Sequence, residues 1–170
     1  GGQLAAEADL ADLSDLAGQA GLLPDGANAS GQMTFKSDIS THEDTLISRS
    51  FNLDLSSLQV TSGGKTFKEP HILISGTGEL RPLDHSVRLS NVAMTTSFAD
   101  IKIPHATVPD WAQVMARGAN VEVVGTTNLE SLRAAAGDFL PLPPGTTLKG
   151  LAEIDLRVMG TPAATADTVL

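Results

Sequence analysis

The side chains best suited to proton transfer or metal binding near neutral pH are four histidines, His42, His71, His85 and His105. No two stand four residues apart, and no His-Glu-x-x-His pattern occurs. His42 lies two residues before Asp44, and Asp84 directly precedes His85. Both pairs fall in polar, turn-like stretches and read as solvated turn residues. Asp9, Asp12 and Asp15 recur every three residues among leucines. That is the spacing of a helix face, and negative charge favours a helix start. The ligand spacing of a calcium loop does not follow them.

Ser62-Gly63-Gly64-Lys65-Thr66 resembles the tail of a phosphate loop, but Leu58 occupies the position of the required first glycine. A tight hairpin turn explains the stretch. Gly76-Thr77-Gly78 lacks the third glycine of a dinucleotide loop and sits within a strand pattern. Asn28-Ala29-Ser30 is formally a glycosylation sequon. Trp111 reads as the core anchor of a short helix. With no cysteine in the chain, thiolate metal sites, disulfides and cysteine nucleophiles are all excluded. These residues assemble no catalytic site, metal site or cofactor site, so the expectation is a protein that is not an enzyme.

The chain that must position any site has 170 residues, enough for about one domain. Lys plus Arg number 11 against 20 Asp plus Glu, a net charge of −9, which argues against nucleic acid as a partner. Hydrophobic residues make up 41% and charged residues 18%, a folding composition rather than a disordered one. Aromatics are only 4%, too few for base-stacking platforms. No apolar run is long enough to span a bilayer.

Period-two alternation dominates. Met33, Phe35 and Ile39; Phe51, Leu53 and Leu55; Ile72, Ile74 and Leu80; and Ile154, Leu156 and Val158 all alternate with polar residues or small turn formers. Each run predicts a strand with one apolar and one wet face. The phase slips at Ser56-Ser57 and at Ser90-Asn91, which predicts β-bulges. Short turns between runs predict that sequence neighbours pair. Leucine spacing predicts short helices at Leu10–Ala20, around Trp111, Val114 and Met115, and at Leu129–Ala136. Asp9 or Asp12 is available as N-cap of the first and Gly21 as its stop.

The two ends of the chain resemble each other. Leu13, Leu16 and Gly21 match Leu129, Leu132 and Gly137 at a spacing of 116, while Gly31 matches Gly150 at 119. The chain divides on this reading into a first unit at 1–125 and the start of a second, partial one at 126–170. A repeat implies an elongated stack.

Strand segments ending in Gly160-Thr161, the leucine-spaced Asn128–Leu132, the break at Leu140-Pro141 and the glycine-led strand Gly150–Leu156 together resemble the AsmA-like, TamB-like proteins of bacterial envelopes. Chorein-type bridge lipid-transfer proteins have similar architecture. The resemblance implies long twisted sheets curved into an apolar groove, a periplasmic location, an inner-membrane anchor outside this segment, and a role in lipid movement or envelope maintenance. It supplies no catalytic residues.

Area points the same way. One face of a six-stranded sheet of nine-residue strands is about 870 Å². Three short helices cover about 390 Å². The remaining apolar face must close on itself, pair with a partner or stay open as a groove. The expected fold is therefore mainly β: a curved, twisted antiparallel meander, groove-like and repeat-type, with two or three short helices. The groove candidates are Phe35, Phe51, Leu53, Leu55, Ile72, Ile74, Ile154 and Leu156. The expected partner is phospholipid or another lipid. The alternative is a structural or interaction module with a closed β core or a dimer interface, self-associating through its apolar sheet face or edge strands.

Overall fold

Strands at half-wet spacing, joined by short turns, have one economical arrangement, in which each pairs with the next. A computed structural model, describing residues 1–19, 27–113, 118–140, 143 and 145–159, has that arrangement. Eight strands run β1 (Gly2–Asp9), β2 (Asn28–His42), β3 (Thr45–Ser62), β4 (Lys65–Arg81), β5 (Ser86–Thr95), β6 (Ala99–Val108), β7 (Asn120–Asn128) and β8 (Leu151–Val158). They form one antiparallel sheet in sequence order. β1 and β8 each keep one unpaired edge, so the sheet is open. The fold is the expected mainly-β meander, with eight strands where the area argument used six. The four alternating runs are β2, β3, β4 and β8, the run that slips at Ser90-Asn91 is β5, and β1, β6 and β7 are added.

The turns explain the register. Gly63 and Gly64 have φ of 57° and 74°, so the β3–β4 connection is a two-residue turn that needs left-handed backbone. The phosphate-loop likeness is thus a hairpin tip. Both slips in phase are bulges. Ser57 and Leu58 stand against Gly31, and Ser57 has φ 53°. Asn91 and Val92 stand against Gly76, and Asn91 has φ 52°. Two further bulges go beyond the two expected slips. Arg49 and Ser50 oppose Thr77, and Ile103, Pro104 and His105 oppose Glu122 and Val123.

Helix α1 (Leu10–Gln19) joins β1 to β2, and α2 (Leu129–Ala136) follows β7 on the way to β8. Asp9 Oδ1 accepts from the Ala11 amide at 2.8 Å, and Asn128 Oδ1 accepts from the Ser131 amide at 3.0 Å. Each cap satisfies an amide that the first turn leaves without a partner. The Ala29 amide donates to buried Ser14 Oγ, which ties α1 to β2. Strand end, cap, helix start and left-handed glycine (Gly31, φ 132°; Gly150, φ 95°) share one spacing of 119. The spacing of 116 is therefore corrected: Leu10 and Leu129, not Leu13 and Leu129, are the equivalent helix starts. The 125/126 boundary lies within β7.

The described part of the predicted Trp111 helix is a single 3₁₀ turn, Trp111–Gln113; Val114 and Met115 lie outside the described residues. So do Ala20, Gly21, Pro141, Gly160 and Thr161. Trp111 is not a core anchor. It is 40% exposed and rests edge-on against His85 at 5.5 Å. Its amide donates to the His85 carbonyl at 2.7 Å.

Close contact with a neighbouring strand's backbone fixes Gly125 by sterics. A Cβ on Gly125 would stand 2.4 Å from the Asp100 carbonyl oxygen, a backbone atom that cannot swing aside. A Cβ on Gly78 would meet the mobile tip of Leu89 at 3.1 Å. Gly125→Ala is therefore expected to lose about 1–3 kcal/mol on urea unfolding. Gly78→Ala should change stability by less than about 1 kcal/mol. Equal losses for the two would refute the backbone-contact argument.

Candidate functional site

Cross-strand partners share a face, so register places every side chain. One rung crosses all eight strands without a break: Ala6, Phe35, Leu53, Ile74, Met94, Ile101, Gly125 and Ile154. Phe51, Leu55, Ile72 and Leu156 lie on the same side. All eight groove candidates thus fall on one face. Lys36, Asn52, Asp54, Ser75, Glu153 and Asp155 fall on the other.

Seven strand spacings make this face about 34 Å wide. The two helices have 10 and 8 residues and stand at one end of the strands. The described residues leave most of the face uncovered. Among the described residues only Val92, Ala99 and Ala135 are buried hydrophobics. The named residues of β2, β3 and β4 are half-buried, Ile154 is half-buried, and Leu156 is 53% exposed.

The face is hollowed where small residues meet large ones. Phe51 covers the bare backbone of Gly76, whose Cβ would sit 2.9 Å from its ring. A hollow of about 320 Å³ is lined by Leu4 of β1, Phe35 and Ile39 of β2, Leu46 and Phe51 of β3, Leu80 of β4, and Val87 and Leu89 of β5. In a flat sheet β1 and β5 would be about 19 Å apart. A hollow of that size reaching both requires the strands to curl. Two hydroxyls, Ser37 and Ser48, also line it, bonded to each other at 2.9 Å. The sequence signal for them was present, since Ser37 takes an apolar-face position in Phe35-x-Ser37-x-Ile39.

One carboxylate sits at the helix-bearing end of this face, opposite Leu58. Glu69 is 1% exposed. It accepts from the Ser97 amide at 2.8 Å and from Ser97 Oγ at 2.7 Å, and so holds the β5–β6 turn against β4. The Phe67 and Phe98 rings meet edge-on beside it at 6.3 Å.

Compared with protein families, curated proteins and solved structures, the chain has no match.

The opposite face is polar. A hollow of about 480 Å³ there has Thr77, Ser90 and Thr107 between Arg49, Glu79, Arg88 and His105. A twisted sheet is saddle-shaped, which permits a hollow on each side. His71 Nε2 and Asp54 Oδ1 pair at 2.8 Å, both about half exposed. His42 is the exposed last residue of β2, Asp44, Asp84 and His85 are exposed turn residues, and Asp9 is a helix cap. Among the described residues no group of His, Cys, Asp or Glu is placed to hold a metal ion. No helix among them is long and apolar enough to cross a membrane.

Proposed function

We propose that the open apolar face shelters lipid acyl chains, and that the chain works as a non-enzymatic segment of an AsmA-like envelope protein facing the periplasm. The observation that carries this reading is the unbroken apolar rung over eight strands, left largely uncovered. Moving apolar area from water onto such a face is worth about 25 cal/mol per Å². Ten methylenes gain up to about 8 kcal/mol before entropy costs. A contiguous apolar surface of this size on a soluble fold marks a binding surface.

Photocrosslinking from a diazirine side chain at Ile74 in cells tests it. Lipid adducts identified by mass spectrometry are the expected result. Protein adducts without lipid would favour the second reading, an interaction module. That reading has an observation of its own, the two unpaired edges at β1 and β8. It requires concentration-dependent self-association in sedimentation.

A further inference from the structure

We propose that the hollow on the polar face binds a phosphate monoester, held by the guanidinium groups of Arg49 and Arg88. The site lies on the side away from the apolar groove, so it stands or falls independently of lipid sheltering. Register stacks two polar rungs there. In the first, Arg49 and Ser50 oppose Thr77, which pairs with Ser90, and Ser90 pairs with His105. In the second, Glu79 pairs with Arg88, and Arg88 with Thr107. Bulges build the first rung. The one in β3 sends Arg49 to the same side as Ser50, and the one in β6 brings His105 into the hollow. Bulges concentrate beside functional sites, where they re-aim a side chain.

Charge selects the occupant. The chain carries 20 Asp plus Glu against 11 Lys plus Arg. Even so, among the described residues no carboxylate pairs with Arg49 or Arg88. Arg157, on the same face, differs, because its guanidinium meets Glu122 at 2.9 Å. Arg49 and Arg88 are both exposed, so their N–H groups are open to a ligand. They flank β4 from strands about 10 Å apart in a flat sheet, within reach of one anion for two long side chains. Two such forks offer more donors than the two oxygens of a carboxylate accept, whereas a phosphate monoester brings three oxygens and nearly two charges. The Ser90 and Thr107 hydroxyls and the His105 ring add donors between them. Thr77 is different, since its hydroxyl donates to the Ser90 carbonyl at 3.1 Å. A volume of about 480 Å³ exceeds a bare phosphate and leaves room for the alcohol that the ester carries. Glu79, half-buried, is the hollow's one acid among the described residues, and its charge opposes binding.

Calorimetric titration with glycerol 3-phosphate at low salt tests the site. Sedimentation with phosphatidylcholine vesicles containing phosphatidic acid is the second arm. Saturable binding of the soluble ester supports the site with a dissolved ligand, and binding of the vesicles alone supports it with a lipid headgroup. Arg49→Gln and Arg88→Gln should each weaken binding about tenfold or more, with circular dichroism unchanged. Glu79→Gln should tighten it about two- to fivefold, an effect that damage to the fold would not produce. Lys102→Gln, on the same face but outside the hollow, is the control and should leave binding as it was. Binding in neither arm overturns the proposal. So does binding that both arginine variants leave intact. A loss in Lys102→Gln as large as in the arginine variants also overturns it, because the attraction then belongs to the whole face and not to the hollow.

Discussion

Glu69→Ala should destabilise the protein by about 3 kcal/mol in urea unfolding, with a smaller loss for Glu69→Gln. The carboxylate is shut from water and accepts two short bonds from Ser97, one from the amide and one from the hydroxyl. Bonds to a charged partner contribute about 1.5–3 kcal/mol each, and a buried donor left without a partner costs about 1–3 kcal/mol. Alanine removes both acceptor oxygens at once. Glutamine keeps one acceptor, and its amide nitrogen takes the place of the other oxygen, which accepted from Ser97. The residues of β4 before Leu73 run past the last β5 pair, so the β5–β6 turn depends on this anchor to lie against them. A loss below about 1 kcal/mol for Glu69→Ala would show that Phe67 and Phe98 hold the turn without it.

Ile74→Asp should leave the fold standing and cut lipid pickup from vesicles at least about tenfold. Ile74 sits mid-sheet between Leu53 and Met94, half-buried on a face over which the described residues place no second layer. In a closed core an aspartate there would be stranded without water, at a cost approaching the whole stability of a domain. On an open face its carboxylate stays hydrated, and the loss is that of some apolar contact, under about 2 kcal/mol. A hydrated charge excludes methylenes from its surroundings, and losing two of them costs about 1.6 kcal/mol, or more than tenfold. Ser75→Asp is the matched control, one residue along and pointing to the other side. Thermal melting and pickup are read on all three proteins. Collapse of Ile74→Asp, with no lipid adduct from position 74, would leave only the structural module.

Face assignment was legible because alternation needs no knowledge of pairing. The slips across Ser56-Ser57 and Ser90-Asn91 were legible because each displaces an apolar run by one residue. Arg49-Ser50 was not, since the inserted residue and its neighbour are both polar and both fall on the polar side. β1 was hidden by its small residues, Ala5, Ala6 and Ala8, which favour no strand by themselves. Trp111 misled through its size, because a large ring in an apolar stretch need not be buried, and this one is exposed. The Ser37–Ser48 pair and the Glu69 anchor depend on residues 11 and 28 apart in sequence. No local pattern joins them; only the register does.

The strict sequence order of the strands also bears on how such a chain finds its structure. Most all-β proteins fold slowly because their pairings join distant segments and loop closure comes before any reward. Here every ladder joins neighbours, and the longest, between the 18 residues of β3 and the 17 of β4, begins at the tight Gly63-Gly64 turn. That hairpin is the natural nucleus. Zippering proceeds outward from it in both directions, each new strand meeting an edge already formed. Protection from hydrogen exchange then falls away from β3 and β4 towards β1 and β8, and the rims open first while the centre of the sheet stays closed.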